Sequence, residues 1–189
     1  MAQYFHVDRS KRLSAALKVD LQIFTDVDPV ELQDHLSRLL PDGVTVHGDQ
    51  YFVAANQALD TSPSIELVFE YVRRTFFPER PSRYQSFFAA PTIDHARAFG
   101  RKYGGGQPFS IWEVEAEEAF ITDMDLLSHA GSTSSLHMSW SAHRYWAGEP
   151  TESPMLEALL RPPVRIVREI ESWTYTRDSN YETNHLEPR

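Results

Sequence analysis

One stretch decides the fold class of this chain: Glu157-Ala158-Leu159-Leu160-Arg161-Pro162-Pro163-Val164-Arg165-Ile166-Val167. It opens with a glutamate, continues as an apolar run, breaks at two prolines and resumes with apolar and charged residues in alternation. That order predicts two successive strands, of which the second is half-buried. Near the other end of the chain, residues 4–7 form another apolar run that contains one histidine, His6. A third strand pattern ends in Phe87-Phe88 and runs into a helical pattern.

The patterns along the whole chain predict an α+β fold, with an antiparallel or mixed sheet and helices packed mainly from the amino-terminal half. Helical spacing of apolar residues recurs in 30–40, 65–74 and 93–103. The predicted strands are 4–7, 21–24, 83–89, 109–115, 120–122 and 164–173, whereas 136–146 is aromatic and of mixed periodicity. Residues 1–177 are predicted to form a single domain, and residues 178–189 a polar, flexible tail.

Composition limits the classes of function. The net charge of −9 comes without a basic stripe, which argues against a dedicated binder of duplex nucleic acid. Because the chain has no cysteine, it has no disulfide, no thiolate metal site and no cysteine nucleophile. No apolar run reaches the roughly 18 residues of a membrane span, and the amino terminus lacks the order of a secretory signal. The sequence therefore predicts a cytoplasmic protein without a membrane partner.

The three motifs, in their order along the chain, resemble the three-part signature of the ADP-ribosyltransferase superfamily. The resemblance is to the branch that contains diphtheria-type toxins, poly(ADP-ribose) polymerases and rifampicin-modifying transferases, and residues 109–125 also resemble the last of these. It implies a split sheet that binds NAD as a substrate, with no metal. It also implies that His6 hydrogen-bonds the adenosine-side ribose, that Phe87 stacks on nicotinamide, and that Glu157 bonds the nicotinamide-side ribose 2′-hydroxyl.

The residue types suit the chemistry of that family. Nicotinamide leaves the anomeric carbon through a cation-like transition state, which an ionised carboxylate stabilises. The resemblance therefore implies a NAD-dependent mono-ADP-ribosyltransferase, with Glu157, His6 and Phe87 as catalytic residues, that modifies an unidentified macromolecular acceptor. Two alternatives stay open: a non-catalytic binding module of the same fold, and an enzyme that ADP-ribosylates a drug. The sequence does not identify the acceptor, nor a role as toxin, defence factor or regulator.

Two positions depart from the family pattern. Val7 stands where the family usually has a glycine whose backbone contacts the nicotinamide amide, and Phe87 stands where tyrosine is usual. Tyr84 is a second candidate for the stacking ring. The family also gives NAD phosphate contacts to scattered arginines, a role that falls here on Arg83 or Arg9, for which a solvated charge is the alternative.

The histidine and the aromatic pair each have a structural alternative. His6 also fits a half-buried strand histidine whose ring is satisfied by a backbone carbonyl. Phe87 and Phe88 also fit core residues, because adjacent side chains on a strand point to opposite faces and at least one ring must be buried.

The carboxylates have alternatives as well. Glu157 also fits a solvated residue after a turn, and Glu152 lies within reach of the same strand start. Asp123 resembles the aspartate of the rifampicin-modifying branch and is a second candidate for the carboxylate role. It equally fits an aspartate that caps a turn or a helix.

Overall fold

Two antiparallel sheets form the centre of the computed structural model, which describes residues 1–54, 62–130, 134–175 and 181–185 and has an α+β fold. The first sheet has the strand order β1-β4-β7-β2, and β8 also pairs with β7. Its strands are β1 (Ala2–Asp8), β2 (Lys18–Val19), β4 (Phe109–Ala116), β7 (Val164–Tyr175) and β8 (Tyr181–His185). Every pairing given for these strands is antiparallel.

The second sheet is smaller and has the order β3-β6-β5. Its strands are β3 (Phe87–Ala89), β5 (Ala119–Asp123) and β6 (Leu156–Leu160). The two sheets are joined where β1 meets the residue after β3, because Phe5 and Ala90 exchange both backbone hydrogen bonds, at 3.0 and 2.7 Å. Apolar side chains of both sheets, among them Ala158, Leu160, Val114 and Ile166, form one buried cluster between them.

Helices flank the sheets along most of the chain. They are α1 (Val30–Leu39), α2 (Val46–Gly48), α3 (Ser62–Phe76), α4 (Ile93–Tyr103), α5 (Asp125–Ala130) and α6 (Ser135–Ala147), with a π-helical turn at Asp49–Val53 and a 3₁₀ turn at Arg83–Gln85. Helices α3 and α6 cover the outer face of the small sheet, where Phe69, Tyr145 and Trp146 pack on Leu159. Among the described residues, no helix is both long and apolar enough to cross a membrane.

The prediction that helices come mainly from the amino-terminal half was wrong, since α4, α5 and α6 all follow residue 90. Helix α6 occupies the aromatic segment whose periodicity was mixed. Ser134 caps its start by accepting a hydrogen bond from the His137 N–H, and Gly148 ends it in a left-handed conformation with φ 76°. The large rings of Tyr145 and Trp146 are adjacent in sequence and both buried. Buried residues of this helix therefore do not recur only at intervals of three or four, and the helical period is hard to recognise.

Three local predictions also need correction. Residues 83–89 are not one strand, because Ser82 accepts from the Tyr84 N–H and starts the 3₁₀ turn before β3. Residues 21–24 contribute only one bridge, between Gln22 and Val44, and the short strand lies earlier, at Lys18–Val19. Within the predicted flexible tail, Tyr181–His185 is a strand because its backbone pairs with β7. Tail residues 178–180 and 186–189 lie outside the described part of the chain.

Gly100→Ala is expected to lower the free energy of unfolding by about 1–3 kcal/mol through overpacking. Gly100 faces the first sheet from α4, and a Cβ there would lie 2.4 Å from Cε2 of Phe109. The Phe109 ring cannot retreat, because it is fully buried and stacks on Trp173 at 5.5 Å between centroids. Urea unfolding measures the change.

A double-mutant cycle tests the steric cause of that loss. In a Phe109→Leu background the added methyl has more room, so Gly100→Ala should cost less there than in the parent chain. An equal cost in both backgrounds would contradict the clash.

Candidate functional site

The three sequence motifs lie side by side in the fold. Strand β3 pairs with β6 on one side, with Ala89 opposite Ala158, and the following residue, Ala90, bridges to Phe5 of β1 on the other. Extending the β3–β6 register by one residue places Glu157 opposite Ala90. The strand positions of Phe5 and Glu157 are therefore two strand spacings apart, roughly 10 Å. Motifs separated by more than 150 positions in sequence thus border one region.

His6 is held in one tautomer on β1. Its Nδ1 lies 2.6 Å from the Phe88 carbonyl oxygen, and since a carbonyl only accepts, Nδ1 must carry the proton. Burial lowers the pKa of His6 below its ordinary value, although the bond to the Phe88 carbonyl opposes that shift. The neutral ring therefore leaves Nε2 as an acceptor, and no hydrogen bond from the described residues reaches it.

Val7 offers an unpaired backbone edge beside that histidine. Since Phe5 exchanges both backbone bonds with Ala90, its peptide groups point away from β4, and so do those of Val7 two residues further. Past Ala90 the chain turns into α4, and within the described residues nothing hydrogen-bonds the Val7 N–H or C=O. Its side chain packs against the cluster around Phe109 instead. Valine at this position thus leaves the backbone edge open, as glycine would.

The aromatic pair is divided between the two faces of the small sheet. The Phe87 ring stacks on His6, with centroids 4.4 Å apart, and packs in the cluster between the sheets. Phe88 pairs with Leu159, so it shares the opposite face with Glu157, two residues before Leu159. The structure thus brings Phe87 to His6, and Phe88 to Glu157.

Glu157 is buried, with 8% of its surface exposed, at the start of β6. Its Oε1 accepts hydrogen bonds from Arg83 Nη1 at 2.7 Å and from the Tyr145 hydroxyl at 2.8 Å. Burial raises the pKa of Tyr145 well above its ordinary value, so this hydroxyl keeps its proton and donates. None of the described residues bonds Glu157 Oε2. One carboxylate oxygen is thus anchored, and the other is available to a ligand.

Arg83 lies inside a buried ion network. Its Nε and Nη2 donate to the two carboxylate oxygens of Glu66 at 2.7 and 2.9 Å, and its Nη1 donates to Glu157 and to the Tyr145 hydroxyl. Burial alone would lower the pKa of Arg83, but Glu157 and Glu66 raise it well above its ordinary value. With 6% of its surface exposed and all its nitrogens engaged, Arg83 is placed to hold carboxylates rather than NAD phosphates. Arg9 instead donates to the Tyr103 carbonyl at 2.9 Å.

The network continues to the protein surface through His47. Its Nε2 lies 3.2 Å from Glu66 Oε1, an ion-pair distance without hydrogen-bond geometry. The His47 ring also lies 4.6 Å from the Tyr51 ring and 4.5 Å from Phe88. Burial alone would raise the pKa of Glu66, but Arg83 and His47 outweigh it and hold that pKa well below its ordinary value.

The second candidates for the aromatic and carboxylate roles lie elsewhere. Tyr84 is 1% exposed and stacks on Phe52 at 4.8 Å, so its ring is part of the core. Glu152 is exposed in the loop before β6. Both oxygens of Asp123 are occupied, by donors that tie the end of β5 to the loops around it: the Asp125 N–H, the Thr151 N–H and hydroxyl, and the Met155 N–H. Asp123 thus has the capping arrangement.

Sequence reasoning missed His47 and Glu66. A signal for Glu66 exists in the sequence. The buried Ile65 and Phe69 are four residues apart, and each is followed directly by a glutamate, Glu66 or Glu70, so both carboxylates lie beside the apolar stripe of α3. Buried carboxylates require partners, so Arg83 could have been assigned to one of them. No comparable pattern marks His47, since it lies on a three-residue helix.

Residues 4–172 match the model of a family described as "Protein of unknown function (DUF2441)". The chain belongs to that family. The match includes His6, Phe87 and Glu157, so the candidate site of this DUF2441 chain lies within the region that defines the family. No curated protein matches the chain. The family description assigns no activity.

Proposed function

We propose that this protein has an ADP-ribosyltransferase-like fold and acts as a NAD-dependent mono-ADP-ribosyltransferase. The observation that carries the proposal is the unpaired edge of β1 at Val7, beside a neutral His6 whose Nε2 accepts. A nicotinamide carboxamide has one acceptor oxygen and an amino donor, which complement the N–H and C=O of one strand residue. The proposal is also supported by the pairing that brings β1, β3 and β6, which carry the three sequence motifs, next to one another.

In this proposal each residue has one task. The Val7 backbone holds the carboxamide, and His6 Nε2 accepts a hydrogen bond from the adenosine-side ribose. Glu157 Oε2 accepts from the nicotinamide-side ribose 2′-hydroxyl and stabilises positive charge on that sugar. The bond from the anomeric carbon to the pyridinium nitrogen breaks, and its electron pair leaves with neutral nicotinamide. An acceptor nucleophile then bonds the anomeric carbon and loses a proton.

The deciding experiment incubates the protein with NAD and measures nicotinamide by chromatography, with labelled NAD in parallel. Release of nicotinamide with transfer of label to a macromolecule supports the proposal. Transfer of label to a drug would identify the small-molecule alternative instead. No release with protein, nucleic acid and small-molecule acceptors would overturn the transferase.

A second candidate, a non-catalytic NAD-binding module, is favoured by one observation. Arg83 lies 2.7 Å from Glu157 and offsets the negative charge that the transition state requires. A module would bind NAD without releasing nicotinamide. The two candidates are therefore separated by turnover and not by affinity.

His6→Ala is expected to abolish the rise in Tm that NAD produces, because a ligand that binds only the folded state stabilises it by mass action. Thermal unfolding with and without NAD measures the shift. His35→Ala is the matched control, since His35 is exposed on α1. A folded His6→Ala protein with an undiminished NAD shift would remove His6 from the site.

A further inference from the structure

We propose that Glu66 is a positioning residue for the proposed transferase, and that it keeps the buried cluster around Glu157 negatively charged. The inference rests on the proposed function and deepens it. Glu66 lies on α3 and does not contact Glu157 directly. It acts through Arg83, whose guanidinium lies between the two carboxylates.

The geometry of Arg83 shows how Glu66 would position Glu157. Glu66 takes the Nε and Nη2 edge of the guanidinium in a two-pronged bond, which fixes the plane of the group. That plane directs Nη1 at Glu157 Oε1. The cation also lies over the Phe88 ring, 4.6 Å from its centroid. Glu157 is thus anchored through one oxygen, with the other directed elsewhere.

Charge gives Glu66 its second task. Arg83 alone would cancel the charge of Glu157, and a neutral pair stabilises a cationic sugar poorly. With Glu66 the three groups sum to −1 because two carboxylates share one guanidinium, and His47, whose Nε2 lies 3.2 Å from Glu66, leaves that sum unchanged while its ring is neutral. Coulomb interactions are strong in a poorly solvated site, and Glu66 and Arg83 are 5% and 6% exposed. A pKa of Glu66 held below its ordinary value keeps that carboxylate ionised.

Glu66→Gln tests both tasks together. The amide keeps the size of the side chain but removes a charge, and its amino group would meet a donor of Arg83. We expect kcat for nicotinamide release to fall by about tenfold or more, with the KM for NAD changed by less than about threefold. Glu66→Asp keeps the charge at a shorter reach and should recover part of the lost kcat, which a purely structural role would not produce.

Glu171→Gln is the matched control. Glu171 is also buried, at 1% exposure, and also pairs with an arginine, Arg97, but it lies on β7 in the other sheet. Its replacement should leave kcat per folded molecule unchanged. Circular dichroism establishes that each variant folds.

The outcomes separate the two proposals. Wild-type protein that releases no nicotinamide overturns the transferase and this inference with it. An active wild type and a Glu66→Gln variant within twofold of its kcat would overturn only the role of Glu66. If Glu66→Gln does not fold, Arg83→Lys provides the same test, since lysine keeps the charge but cannot make the two-pronged bond. It should lose about tenfold in kcat, and an unchanged kcat would overturn the inference.

Discussion

Glu157→Gln is expected to lower the rate of nicotinamide release by about a hundredfold or more, while NAD affinity stays within a few fold. The amide keeps the size and shape of the side chain but removes the negative charge that would stabilise the cationic sugar. It also places an amino group near Arg83 and the Tyr145 hydroxyl, both of which donate hydrogen bonds to the carboxylate of the wild-type protein. Chromatographic assay of nicotinamide gives kcat, and calorimetry gives the affinity.

Two carboxylates serve as comparisons for that substitution. Glu152→Gln changes an exposed loop residue and should leave turnover unchanged. Asp123→Asn removes a residue that accepts four hydrogen bonds, so it should lower Tm without changing kcat per folded molecule. A Glu157→Gln variant as active as the wild type would move the carboxylate role to one of these two residues.

The predicted helices at 30–40, 65–74 and 93–103 all correspond to helices of the structure, whereas the predicted strands at 21–24 and 83–89 needed correction. The apolar residues of β4 lie on both faces of the sheet, with Trp112 and Val114 in one buried cluster and Phe109 and Ile111 in the other. Apolar and charged residues still alternate at Val114 and its neighbours, and period two is readable over a few residues. Helix α6 was not predicted, because its buried residues include two adjacent rings, Tyr145 and Trp146, which do not follow helical spacing. Helix α3 was predicted correctly, since Ile65, Phe69 and Val72 recur at regular spacing.

The candidate site could be predicted only in part. Residue type and strand position identified His6 and Glu157 as candidates, and strand alternation required Phe87 and Phe88 to face opposite sides, as they do. The partners of Glu157 could not be predicted, because Arg83 comes from the 3₁₀ turn and Tyr145 from α6, which meet only in the folded chain. The apolar stripe of α3 indicates one buried carboxylate partner for Arg83, but the position of Arg83 between two carboxylates is a property of tertiary packing.

Arg83→Met is expected to lower the free energy of unfolding at neutral pH by about 3–5 kcal/mol, because it leaves buried carboxylates without their counterion. Methionine keeps much of the packing volume but supplies no donor to Glu66 or Glu157. Urea unfolding at pH 7 measures the loss. The double variant Arg83→Met/Glu66→Gln has one unpaired buried carboxylate fewer, so part of the lost stability should return. The effects of the two substitutions on the free energy of unfolding should therefore be non-additive.

The pH dependence of Arg83→Met should have the opposite sign to that of the Glu66–Arg83 pair. In the wild type the pKa of Glu66 lies below its ordinary value, so its contribution is present above the unfolded pKa of about 4.3 and is lost as pH falls through the folded pKa. Without Arg83, burial is the largest single influence on the pKa of Glu66 and His47 alone of its two basic partners opposes it, so we expect that pKa to rise above its value in the unfolded chain. The folded variant would then keep the Glu66 proton to a higher pH than the unfolded chain does. Its free energy of unfolding would therefore fall as pH rises from about 4.3 to the raised pKa of Glu66. The difference in free energy of unfolding between wild type and Arg83→Met should therefore be smaller at pH 4 than at pH 7. An equal difference at the two pH values would contradict an unpaired buried carboxylate as the cause of the destabilisation.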